Sequence, residues 1–310
     1  RNGEAVIARV LIRFVLSLLL ASVVIFALLR LVPGDPARVA LGVTATDEAV
    51  AALAAQLGTD RPLVVQYLDW VGGLLTGDFG MSLASRQDIT PLIVDRAQVS
   101  LILCGLAMVL SLAIALPLGM WTANRVLPTL AQIGIAIPSF LTGILLVTVF
   151  SVHLGWVPAN GWIPPGTDFP GFLQRIVLPV IALTLVQAAI LTRYVRSAVL
   201  EVMDKEYMRT ARSTGASISE ALWRHGLRNA ALPVLTVAGL QLTSLIVGAV
   251  VIERVFLIPG LGSMLLDSVA RRDLTAVQTI VMLLVVFTLT VNLIVDVTYR
   301  LIDPRIRRSA

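Results

Sequence analysis

The 310-residue sequence is 57% hydrophobic and only 14% charged, with a mean hydropathy of +0.90. That leaves too few charged groups to cover a soluble surface, so the sequence reads as a membrane protein whose solvent is lipid. Its net charge of +5 comes from bases scattered in short gaps between apolar blocks, which is a topology signal and argues against a nucleic-acid partner.

A bilayer core about 30 Å thick takes about 20 apolar helical residues. Six blocks qualify once interrupting Gly and Pro are tolerated: 6–31, 97–121, 127–151, 174–195, 232–252 and 276–299. The expected fold is an all-α integral membrane protein of six spans, forming a single membrane domain over 1–310. The first block follows an Arg-bearing start, exceeds a signal-peptide core and lacks a small-residue cleavage site behind it, so it reads as a retained span. Arg1, Arg9, Arg13, Arg125, the bases from Arg193 to Arg228, and Arg300, Arg305, Arg307 and Arg308 fall in alternate gaps. One cytoplasmic face carrying both termini satisfies that pattern.

The gap 32–96 is acidic on balance and belongs outside, together with 152–173 and 253–275. It is too long for a simple turn. The run from Thr46 through Asp47 and Glu48 to Leu57 predicts a short helix with a cap and an acidic first turn, part of a small folded cover. Cys104, the only cysteine, lies in an apolar stretch and reads as a small core residue.

Several chemistries are excluded by what the sequence lacks. It contains no G-x-x-x-x-G-K-[S/T] loop to cradle phosphates, and its only lysine, Lys205, follows Met203-Asp204. His153 and His225 stand apart, with no H-E-x-x-H and no Cys/His cluster, so no metal site is expected. Ser217 in Gly215-Ala-Ser has no histidine within a span to activate it, and no catalytic residue is expected.

The basic loop 193–230 carries the strongest local signals. Glu206–Thr214 has helical composition, Gly215 supplies a left-handed stop, and Ser217-Ile-Ser-Glu220 has the spacing of a capping box opening a second helix. Such a helix-turn-helix can present a compact face to a groove on a partner. Met208, Ala211 and Gly215 share one side of it, while Arg209 and Arg212 splay outward. The bland alternative is a solvated loop that obeys only the positive-inside rule. Within the spans, Gln241, Ser244 and Gly248 lie on one face of span five, and Thr184 and Gln187 on one face of span four. Polar groups facing lipid are costly, so these are expected to face a pore or a neighbouring protein. Asp296 and Arg300, one turn apart, read as a structural pair.

The run Glu206-Tyr-Met-Arg-Thr-Ala-Arg-Ser-Thr-Gly215, with Trp223-Arg-His-Gly-Leu-Arg-Asn-Ala-Ala-Leu-Pro233, resembles the coupling loop of bacterial ABC-transporter permeases. More narrowly the chain is similar to the first permease subunit of dipeptide and oligopeptide importers, the DppB/OppB type. Further matches in the same order are Leu31-Val-Pro-Gly-Asp-Pro36, Gly77-Asp-Phe-Gly-Met-Ser82, Ile137-Pro-Ser-Phe140, His153-Leu-Gly-Trp-Val-Pro158, Val255-Phe-Leu-Ile-Pro-Gly-Leu-Gly262 and Leu301-Ile-Asp-Pro-Arg305. Against the general permease pattern, Arg209 stands where a Glu is expected and Leu227-Arg228 where Leu-Pro is expected. Both departures fit the peptide subfamily. The gap Thr122-Ala-Asn-Arg125 is shorter than the family's.

The resemblance implies the type I ABC importer permease fold in a bacterial inner membrane. The implied partners are a second homologous permease, two ABC ATPase subunits and an extracytoplasmic peptide-binding protein. ATP and Mg²⁺ are then bound by the ATPases, with no cofactor in this chain. Met208, Arg209, Thr210, Ala211, Gly215, Ala216 and Glu220 become the ATPase-coupling residues, Met208 and Ala211 filling the groove and Thr210 and Glu220 bracing the helix ends. Thr184, Gln187, Gln241 and Ser244 become pathway candidates. Arg254 and the acidic outer segment are candidates to receive the binding protein. Pro138 and Pro233 are expected to kink or open helices. A secondary transporter is the main alternative; it needs an inverted repeat or a midplane carboxylate, and the sequence displays neither. Nickel, haem and glutathione, cargo of related importers, stay open beside peptides.

Overall fold

The structure is a computed structural model and describes residues 2–42, 44–123, 138–215, 217–222 and 227–302. In chain order its helices are α1 (Asn2–Arg30), α2 (Pro36–Leu41), α3 (Asp47–Leu57), α4 (Leu63–Thr76) and α5 (Thr90–Ala123). There follow α6 (Ser139–Leu146), which runs on as a π-helical turn over Val147–His153, then α7 (Phe169–Met203) and α8 (Glu206–Ser213). The series closes with α9 (Ile218–Ala221), α10 (Leu227–Val255), α11 (Leu261–Ala270) and α12 (Leu274–Ile302).

Among the described residues, five helices are long and apolar enough to cross a membrane: Ala8–Arg30 of α1, Thr90–Ala123, Phe169–Met203, Pro233–Val255 of α10 and Leu274–Tyr299 of α12. They match five of the six expected blocks. Of the remaining block, residues 127–137 lie outside the described residues, and the rest is the apolar Ser139–His153. Helix is the form that lets such a segment satisfy every backbone group internally in lipid. The same requirement governs its polar side chains. Ser111 Oγ donates to the Ala107 carbonyl at 2.6 Å, Thr148 Oγ1 to Ile144 at 2.8 Å and Thr298 Oγ1 to Ile294 at 2.7 Å. Each hydroxyl is thus spent one turn back along its own helix. Ile12, Leu16, Leu20 and Leu28 stand exposed along one side of α1, the surface expected where hydrocarbon is the solvent.

The chain divides into two compact units, one holding 3–99 and 260–293, the other 100–259 and the residues from 294 on. The divisions fall inside the continuous helices α5 and α12 and at the turn between α10 and α11.

In the first unit, the Leu31–Pro36 motif is a turn that starts a helix. Asp35 Oδ1 accepts from the Ala37 backbone N–H at 2.9 Å, and Pro36 occupies the first helical position. The expected capped helix is present as α3. Thr46 Oγ1 accepts from Ala49 N–H, Asp47 and Glu48 sit in the first turn, and Gly58 ends the helix at φ +69°. Ala37, Val50 and Leu53 bury together between α2 and α3.

The cover expected over 32–96 is only partly polar. Helix α4 is apolar and exposes Leu63, Val64, Leu68 and Leu75. It packs on α1 one and two turns before Arg30: the Tyr67 and Ser22 hydroxyls lie 2.7 Å apart, and Phe26 meets the rings of Tyr67 and Trp70. Part of this segment therefore runs beside a membrane helix.

The Gly77–Ser82 motif forms the next turn. Gly77 and Gly80 adopt φ of +80° and +83°, conformations open to glycine. Asp273, buried at the start of α12, fastens it: the carboxylate accepts from Ser82 Oγ and from the backbone N–H groups of Leu83 and Ala276. Ile89, Ile93, Leu261, Met264, Ala276 and Ile280 form the unit's apolar core.

In the second unit, α7 packs against both α6 and α10. Close approach is set by small residues: a Cβ on Gly119 would stand 2.6 Å from the Val195 side chain, and one on Gly143 3.1 Å from Phe256. Pro138 caps the start of α6, and Pro233 lies inside α10 as expected, joined by Pro117 in α5 and Pro179 in α7. Leu257 takes φ +51° in the turn after α10, where Phe256 and Ile258 are buried. The Phe256 carbonyl accepts from Gly161 N–H at 2.9 Å.

Candidate functional site

The loop between α7 and α10 folds as its local signals predict. Helix α7 ends at Asp204, and Lys205 bonds Glu201 across one turn at 3.3 Å. Helix α8 follows at once and ends one residue earlier than expected. Gly215 takes φ +95°, and a Cβ there would meet nothing within 4 Å. The glycine is therefore required by backbone conformation and not by crowding within this chain. Ser217 Oγ then accepts from Glu220 N–H at 3.2 Å, which is the capping half of the predicted box, and α9 begins.

The residues of this loop divide by burial. Met208 is 1% exposed, and Ala221 and Leu222 are buried, where α8 contacts both α9 and the end of α7. Ala211 is half-buried, while Arg209, Thr210, Gly215 and Glu220 are exposed. The side chain expected to fill a partner's groove, Met208, is instead buried within the chain. Thr210 Oγ1 donates to the Glu206 carbonyl at 3.0 Å, Ser213 Oγ to Thr210 and Thr214 Oγ1 to Ala211, each at 2.8 Å. The last two lie at the end of α8, whereas Thr210 bonds back to the first residue of the helix. Ala216, the Arg212 side chain and Trp223–Gly226 lie outside the described residues, as do Asn124–Ile137 with the short gap at Arg125, and Asp303–Arg305.

Of the polar residues on the spans, Thr184 and Gln187 are buried inside the chain. Thr184 lies against α5, its Oγ1 3.5 Å from the Ala107 carbonyl. Gln187 Nε2 crosses to α10 and donates to the Gln241 carbonyl at 3.0 Å, leaving its Oε1 buried with no protein partner among the described residues. Gln241 is half-buried and Ser244 exposed. The four positions are not one surface: two form the joint between α7 and its neighbours, and Ser244 looks out from it. Asp296 is exposed, and the side chain of Arg300 lies outside the described residues.

Sequence reasoning missed a buried carboxylate. Glu253 is 1% exposed and accepts from Ser100 Oγ at 2.6 Å. It stands two residues before the end of α10, near a helix terminus and not at the midpoint of a span. Nothing in the local pattern Val251-Ile-Glu-Arg254 separates it from the exposed Arg254 beside it. Among the described residues no group of three or more His, Cys, Asp or Glu could hold a metal ion.

The chain was compared with known proteins. Residues 107–308 match the family model described as binding-protein-dependent transport system inner membrane component, and residues 4–104 match the N-terminal model of the same kind of component. A probable peptide ABC transporter permease of Sinorhizobium fredii is 35% identical over 97% of this chain and 98% of its own length. The glutathione transport system permease GsiC of Salmonella choleraesuis is 38% identical, covering 94% and 95%. A putative peptide transport system permease of Brucella abortus is also 38% identical, over 94% and 95%. In fold, the chain is similar to a crystal structure of an amino acid ABC transporter with histidines, at a TM-score of 0.54 and 17% identity over 68% of this chain and 94% of that one. The two family models together cover residues 4–308 but for two positions, and the chain belongs to the family of multi-pass inner-membrane permease components of binding-protein-dependent transport systems.

Proposed function

We propose that the chain is one of two related permease subunits of an ATP-driven importer of short peptides, and that residues 206–220 dock a separate ATPase. The observation that carries this reading is the shape of the loop. A bent pair of short helices, with Met208 buried and Arg209, Thr210, Gly215 and Glu220 exposed, lies in the chain between two membrane helices. The sequence has no phosphate-cradling loop, so ATP and Mg²⁺ belong to the partner subunits in this scheme. Peptide as cargo is supported by the relatives from Sinorhizobium and Brucella, a probable peptide ABC transporter permease and a putative peptide transport system permease.

The mechanism follows from the connections. Closure of two ATPase subunits pulls the docked helices as a block around Gly215. That motion enters α7 directly and α10 through the second short helix. Because Gln187 ties α7 to the α10 backbone, the two tilt together, and the pathway alternates between its two openings. A second permease completes the pathway, Ser244 being the candidate that faces it. The extracytoplasmic binding protein delivers the cargo.

The test is purification of the chain after co-expression with its neighbouring genes, followed by peptide-stimulated ATP hydrolysis in nanodiscs. The expected result is a complex whose hydrolysis rises with peptide and binding protein, and a Gly215→Asp variant in which assembly or stimulation is lost. A Gly215→Asp complex that assembles and transports normally overturns the docking assignment. Proton-driven peptide uptake by this chain alone overturns the ATP-driven reading.

A further inference from the structure

A cavity of about 330 Å³ opens in the first unit where α1 ends, walled by α4, the Asp78–Leu83 turn and the start of α12. Its size is at the lower end of small-molecule sites, about 300–1,000 Å³. Three features make it a built site. The Arg30 guanidinium is laid over the Phe26 ring at 4.6 Å, and its Nε is buried without a hydrogen-bond partner. No carboxylate among the described residues pairs with it, because Asp69 is taken by Arg61 and the ion pairs of this unit are Arg38–Asp47 and Arg61–Asp69. Gln278, on the α12 wall, is 5% exposed and lines the cavity.

An unpaired buried donor such as Arg30 Nε is costly, and an arginine fork with an amide lining the same cavity is a donor set that a carboxylate satisfies. Apolar surface is at hand as well, from Trp70, Phe79 and Leu83. The indole of Trp70 is fixed by its Nε1–H, which donates to Thr279 Oγ1 at 3.3 Å. A free amino acid would leave much of this apolar wall bare. We propose that the cavity binds a short peptide by its C-terminal carboxylate, with Arg30 and Gln278 donating to the carboxylate and Trp70 and Phe79 covering the terminal side chain. This rests on the reading of the chain as a peptide permease and adds to it a binding site made of other residues than those proposed for the docking loop and the pathway.

The experiment uses the full chain in phosphatidylcholine nanodiscs and measures binding of radiolabelled Ala-Phe. The C-terminal amide of Ala-Phe and glycerol 3-phosphate serve as competitors, with Arg30→Gln, Arg30→Lys and Gln278→Leu as variants. Expected are binding at least tenfold weaker for the amide and for Arg30→Gln, a smaller loss for Gln278→Leu, and substantial retention in Arg30→Lys, which keeps the charge. Equal affinity for acid and amide, or unchanged binding in Arg30→Gln, overturns the proposal. So does displacement by glycerol 3-phosphate at lower concentration than by unlabelled Ala-Phe, which assigns the site to a lipid headgroup. The two readings fail separately. A complex that imports peptides while the chain binds none leaves the function standing without the cavity, whereas carboxylate-dependent binding in a complex that imports no peptide does the reverse.

Discussion

The carboxylate of Glu253 and the hydroxyl of Ser100, distant in sequence, meet at 2.6 Å in a place almost closed to solvent. Charge-assisted hydrogen bonds of this kind contribute about 1.5–3 kcal/mol, and loss of one partner leaves a buried charge less well satisfied. Ser100→Ala is expected to lower the unfolding temperature of the purified protein in detergent, and Glu253→Gln to lower it less than Glu253→Ala, because the amide can still accept from Ser100. A Ser100→Ala variant as stable as the parent removes this contact from any account of stability.

Met208 and Arg209 are neighbours with opposite consequences. Truncating a buried methionine costs about 2–5 kcal/mol, so Met208→Ala is expected to loosen the loop itself, visible as faster amide exchange over 206–222. Arg209→Ala leaves that exchange unchanged, since the side chain is exposed, and reduces ATPase stimulation in the assembled complex. Identical exchange profiles for the two variants contradict the inward role given to Met208.

Gly119 sets the approach of α5 to α7. With Val195 only 2.6 Å from a notional Cβ, Gly119→Ala forces the helices apart, at a cost of about 1–3 kcal/mol for overpacking. Gly215→Ala is different, having open space but a positive φ, and costs about 1 kcal/mol from backbone strain. Val195→Ala in the Gly119→Ala background removes the Cγ1 contact but keeps the Val195 Cβ at 2.6 Å, so it is expected to restore thermal stability only in part and to do nothing for Gly215→Ala.

Asp88 stands two residues before α5 and accepts from Thr90 N–H at 2.8 Å. The bonds from the Thr90 backbone and side chain hold its carboxyl below the ordinary value of 3.8. A folded value below the unfolded one means that this cap is fully present above the unfolded value and is lost as pH falls through the folded one. Hydrogen exchange at residues 88–93 is expected to loosen, relative to an Asp88→Asn control, only as pH drops below 3.8. Loosening that begins at neutral pH points away from Asp88.

How much of this was legible follows the range of the interactions. The Thr46 cap of α3, the Gly215 stop and the Ser217 capping contact are decided within four residues, and the sequence displays them directly. The spans are equally plain because length and apolarity alone define them. Asp273 on the Gly77–Ser82 turn and Glu253 on Ser100 were not legible, since each is a polar residue whose partner lies far along the chain. Helix α4 escaped for another reason: at 14 residues it is too short to be read as a span, and Asp69 within it, with Asp60 and Asp78 on either side, marks the region as aqueous. The burial of Met208 depends on tertiary contacts of the loop, which helical periodicity alone does not reveal.

The sequence's single lysine has a practical use. Lys205 stands between α7 and α8 with half its side chain exposed, lightly tethered to Glu201. An amine-reactive fluorophore will therefore mark one side chain in the chain, at the junction between a membrane helix and the loop proposed to receive the ATPase. Cys104, the one thiol, is buried, so an engineered surface cysteine could carry the second dye. A distance reporter across the power stroke is thus available without first stripping the protein of competing reactive groups.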